Sequence, residues 1–180
     1  MTRSVRRFLS IGVMAALAAV VLAQPAHPAE EGTIKAFAAW QGDGQTLQTG
    51  TNEVTFIGTI AGTVYVETDK GPIDGGQMVC PAMLLVNIDD GTQSGVGRCN
   101  ITARDGARIF AQLACTGVHL VGCDGDFTLT GGTNRFAGIT GGGHFTVRSR
   151  LQELVRLSGS TVVLSVSGIM FWRELHYQVP

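Results

Sequence analysis

The feature that most constrains this chain is a period-two alternation of apolar and polar residues, interrupted by glycine turns, from about residue 33 to the end. Ile34, Ala36, Ala38 and Trp40 alternate with Lys35, Phe37, Ala39 and Gln41. Val54, Phe56, Ile60, Val64 and Val66 share one parity, and Thr55, Thr59 and Thr63 take the other. Phe127 and Leu129, then Phe145 and Val147, then Met170 and Trp172 continue the pattern. Such alternation is the mark of half-buried strands. The turn signals between them are Asp43-Gly44, Lys70-Gly71-Pro72, Asp90-Gly91, Asp105-Gly106 and Asn134. They divide the chain into about eight strands, near 33–41, 53–66, 78–88, 94–104, 107–117, 122–131, 142–151 and 161–175, with residues 151–157 either continuing a strand or making one helical turn. Short connections favour antiparallel up-and-down order, and closure into a barrel removes the exposed edges. The expected fold is therefore all-β, a barrel of about eight antiparallel strands spanning 33–180.

The N-terminal segment has a different character. Residues 1–7 are basic through Arg3, Arg6 and Arg7, residues 8–22 are apolar, and Val21-Leu22-Ala23 is suited to cleavage. This is the layout of a secretory signal peptide over 1–23, followed by a loose lead-in over 24–32. The apolar run is shorter than the roughly 20 residues a spanning helix needs, so no membrane span is expected after processing. Removing three arginines leaves 10 basic against 14 acidic residues. That balance gives no electrostatic footprint for nucleic acid. An exported protein, periplasmic or secreted, is expected.

Four cysteines, Cys80, Cys99, Cys115 and Cys123, agree with export. Three connectivities are possible. A hairpin about 87–91 brings Cys80 near Cys99, and one about 117–121 sets Cys115 against Cys123, which favours those two bridges. No C-x-x-C pair occurs and the histidines are scattered, so neither a metal nor a cofactor is expected. His119, His144 and His176 read as surface residues.

The most distinctive stretch is 127–143. Its Gly131, Gly132, Thr133, Arg135, Phe136, Gly138 and Gly141 resemble the G-G-T-G-x-F-x-G-x-x-G turn of allene oxide cyclase-like barrels and, more distantly, of dirigent proteins. Asn134 stands where that turn has glycine. The resemblance implies an eight-stranded barrel with an apolar cavity, in families that cyclise a reactive lipid epoxide or steer phenoxy-radical coupling; it places no catalytic residue here. Locally, Thr133 is expected to cap a helical turn and Phe136 to plug the barrel end.

The apolar parities converge on a cavity lined by Phe56, Ile60, Phe127, Leu129, Phe145, Met170 and Trp172, with Gly58, Gly62 and Gly168 leaving part of it unfilled. Glu174 shares the parity of Trp172 and is the one candidate catalytic acid, if burial near the barrel mouth raises its pKa. The leading functional expectation is non-catalytic: a small apolar ligand held in the barrel, or a structural envelope role. The alternative is an isomerase or cyclase acting on a reactive apolar substrate. A membrane barrel is disfavoured by the expected disulfides and by an aromatic content of only 7%.

Overall fold

The computed structural model describes residues 29–158 and 161–180, and for 151–158 and 161–164 the backbone only. The signal peptide and the first residues of the lead-in lie outside the described residues. Eight strands follow in order: β1 (Glu30–Gly50), β2 (Glu53–Val66), β3 (Ile73–Asn87), β4 (Thr92–Thr102), β5 (Arg108–Val118), β6 (Gly122–Gly132), β7 (Thr140–Ser158) and β8 (Thr161–Val179). Each pairs antiparallel with the next, and β8 pairs back onto β1, so the sheet is a closed barrel. No helix among the described residues is long and apolar enough to cross a membrane.

Strand identity follows the alternation, and of the two alternatives for residues 151–157 the strand holds, but two details differ from the sequence expectation. Asp43-Gly44 is not a turn. β1 runs through it, with Asp43 opposite Thr59 and Gly44 opposite Gly58, and the chain reverses at Thr51 and Asn52 instead. Glycine is required at 44 and 58 because the Phe56 ring lies over both positions, where a Cβ would collide with it. The lead-in is shorter than expected, since β1 begins at Glu30 opposite Val179. Residues 151–157 continue β7 as strand.

Both disulfides form as favoured, Cys80 with Cys99 and Cys115 with Cys123. The first joins facing positions of β3 and β4. The second is diagonal, because Cys115 pairs with Gly125 and Cys123 with Gly117. A Cβ at Gly125 would lie 2.6 Å from Cys115 Cα, and one at Gly117 would lie 2.6 Å from Cys123 Cα. The reciprocal Cys-x-Gly pairs therefore clear the space that the bridge crosses. All four cysteines face the interior and are buried.

The interior is filled at its waist and open towards both ends. Ala38, Met78, Cys80, Phe127, Phe145, Met170 and Trp172 are almost wholly excluded from solvent. Phe127 meets Trp172 edge-on at 5.1 Å between ring centroids and Phe145 at 6.3 Å. Such edge contacts add about 0.5–1.5 kcal/mol each beyond area burial. Trp40 has glycine on both flanking strands, Gly62 and Gly168. A Cβ at Gly168 would sit 2.6 Å from the Trp40 ring. Gly58, Gly62 and Gly168 thus do not leave the barrel empty, as the sequence suggested. They make room for Phe56 and for Trp40.

Candidate functional site

The aromatic waist divides the interior into two recesses. The larger, about 640 Å3, opens at the end where β1 begins and β8 finishes. Its walls include Ile34, Val64, Ile101, Leu129, Ile139 and Leu175, with Phe127 and Trp172 at the waist. Ligand sites commonly occupy about 300–1,000 Å3, are mostly apolar and carry a few polar groups that orient the occupant. Here the polar groups sit at the rim. Arg104 Nε donates to Asp74 Oδ2 at 3.1 Å, Arg135 Nε to Asp105 Oδ2 at 2.7 Å, and the Tyr177 hydroxyl to Glu30 Oε1 at 3.0 Å. The Arg135 hydrogen bond, aided by the Ala107 N–H, holds the Asp105 carboxyl below its ordinary range, whereas the bond to Glu30 raises the Tyr177 pKa. The Trp172 indole N–H is buried at the waist with no hydrogen-bond partner, which is a costly state for a polar group.

The 127–143 stretch frames this mouth. Asn134–Phe136 forms a single 3-10 turn, with Asn134 in the left-handed region at φ 56°, where asparagine is tolerated almost as glycine is. Thr133 makes no side-chain cap; its Oγ1 accepts from the Arg108 N–H at 3.1 Å and ties the turn to β5. Phe136 is half-buried and lines the wall of the recess with the Arg135 guanidinium 4.2 Å above its ring. It is a wall and not a plug. Gly131, Gly132, Gly138 and Gly141 carry the backbone around it. Gly138, at φ 77°, is followed by Ile139, which turns back into the core.

The second recess, about 100 Å3, lies on the other side of the waist. The predicted lining set is split between the two. Phe56, Ile60, Phe145 and Met170 line the smaller recess, and Phe127, Leu129 and Trp172 line the larger. Glu174 lines neither. Ile34 pairs with Leu175 and Ala36 with Trp172, so β8 carries one extra residue at Arg173-Glu174. This bulge reverses the parity: Trp172 and Leu175 face in, and Glu174 is exposed. The candidate acid is therefore outside the barrel.

Sequence reasoning missed His119. It is half-buried, lines the smaller recess and has its pKa lowered by burial. Its signal was indirect: Gln93 is a polar residue on the inward parity of β4, otherwise Gly95, Gly97, Cys99 and Ile101. A buried amide of that kind requires partners.

No protein-family model matches the chain, and no curated protein matches it. Among solved structures, a pterocarpan synthase dirigent protein is similar at 10% identity, with 80% of this chain and 92% of that one covered and a TM-score of 0.31. The closed eight-stranded barrel stands on the pairing of its own strands, independently of that likeness.

Proposed function

We propose that this is an exported, disulfide-stabilised barrel whose larger recess binds a small, mostly apolar molecule carrying a polar head. The observation that supports this reading most is the combination, in one recess of about 640 Å3, of apolar walls and a rim of Arg104, Arg135 and Tyr177 with their acidic partners. Binding of this kind needs no catalytic group. Glu174, the acid on which the isomerase alternative rested, is exposed and lines neither recess. Native mass spectrometry of the protein purified from its own host tests the reading. A co-purifying small molecule, released by organic solvent, is expected. A bare chain that also takes up no amphiphile added in excess would favour the structural envelope role.

A further inference from the structure

The smaller recess carries a second inference, independent of the larger one. Gln93 Nε2 lies 3.2 Å from the Gly122 carbonyl oxygen. A carbonyl only accepts, so this end of the amide is the NH2 group, and Gln93 Oε1 is left as an acceptor. Oε1 faces His119 Nδ1 at 3.3 Å. That contact is a hydrogen bond only when Nδ1 carries the proton. In the neutral ring Nε2 then holds a lone pair. Nε2 has no partner among the described residues.

The surroundings fix this arrangement. The His119 backbone N–H donates to Gly91 O at 2.9 Å, across to the neighbouring β3–β4 turn. The Cys115–Cys123 bridge closes the hairpin that carries His119. The rest of the recess is largely apolar, lined by Trp40, Phe56, Ile60, Phe145 and Met170, with Ser149 on the β7 side. An apolar pocket with few acceptors in its lining discriminates by what donates to them.

We infer that the smaller recess is a binding site for a small apolar molecule bearing one hydroxyl group, whose O–H donates to His119 Nε2. Gln93 is the positioning residue that sets the tautomer. The volume, about 100 Å3, limits the buried part of the ligand to about four carbons, given that a cavity near 150 Å3 accepts the six of benzene.

Two measurements on the full chain test this. Nitrogen-15 NMR of the histidine rings reads the tautomer without perturbing the site, and His119 is assigned by removing the signals of the other histidines through His144→Gln and His176→Gln, both exposed, and His27→Gln. A protonated Nδ1 and a bare Nε2 are expected; a protonated Nε2 with bare Nδ1 overturns the proposal. The second measurement compares cyclobutanol with methylcyclobutane, which has a similar shape but no donor. On His119→Phe the dissociation constant for cyclobutanol should rise roughly three- to ten-fold relative to that for methylcyclobutane, the factor one neutral hydrogen bond supplies. An unchanged ratio, or no binding of cyclobutanol to the wild type, overturns it.

Discussion

At the scale of single residues, burial and partners decide what each substitution does. Phe136 is half-buried on the wall of the larger recess. Phe136→Ala should therefore cost roughly 1–2 kcal/mol, below the range of about 3–5 for a fully buried phenylalanine, as read from urea midpoints. A loss in the full range would mean that the ring closes the barrel end. His119 behaves differently, because its neutral form is favoured in the folded state by burial alone. With a folded pKa below the ordinary 6.5, the unfolded chain binds more protons as pH falls through that value. Stability conferred by His119 is then complete above pH 6.5 and declines as pH falls below it to the folded pKa. The carboxylates of Asp90, Asp105 and Asp124 are lowered from 3.8 by their hydrogen bonds, so their contribution is lost only below that pH. Urea midpoints should thus fall between neutral pH and pH 5 in the wild type and be flatter across that window in His119→Gln. An identical slope in both would show that the ring is solvated.

Among the elements, the β5–β6 hairpin holds the clearest device. The diagonal bridge needs glycine opposite each cysteine, and the chain supplies Cys115-x-Gly117 and Cys123-x-Gly125. Replacing both cysteines by alanine should cost about 2.5 kcal/mol in the chain-entropy model for so short a loop and loosen the turn that carries His119. Equilibrium denaturation together with hydrogen exchange at His119 and Leu120 measures both effects; protection unchanged at those amides would mean that the strand pairing alone holds the turn. Much at this scale was legible in advance. Strand positions and the two bridges followed from alternation and hairpin geometry, because parity is a local property. What was not legible depends on neighbours. Asp43-Gly44 reads as a turn until Phe56 is known to lie over Gly44. Glu174 reads as inward until the bulge in β8 reverses the parity between Trp172 and Leu175. Gly58, Gly62 and Gly168 read as gaps, although the Phe56 ring lies over Gly58, the Trp40 ring over Gly168, and the backbone of Ala39 and Trp40 against Gly62. His119 was hidden because a turn residue has no parity.

For the whole molecule, the aromatic waist of Phe127, Phe145 and Trp172 separates two recesses of unequal size. A barrel built this way gains a packed centre without closing its ends. Its two internal disulfides suit an oxidising compartment. Intact mass of the exported protein should show cleavage near Ala23 and the loss of four hydrogens; four thiols alkylated without prior reduction would contradict export in this form. The central claim is that the larger recess, and not the outer surface, takes up an apolar ligand. The most direct measurement is a fluorescence titration with 1-anilinonaphthalene-8-sulfonate, an apolar body with one charged head, on three proteins. Ala36 faces the larger recess and Ala39, on the same strand, faces solvent. Wild type and Ala39→Phe should bind the probe alike, and Ala36→Phe should bind it at least about ten-fold more weakly, since a phenyl ring placed at 36 would occupy the space. Equal binding by Ala36→Phe, or none by the wild type, would contradict the account.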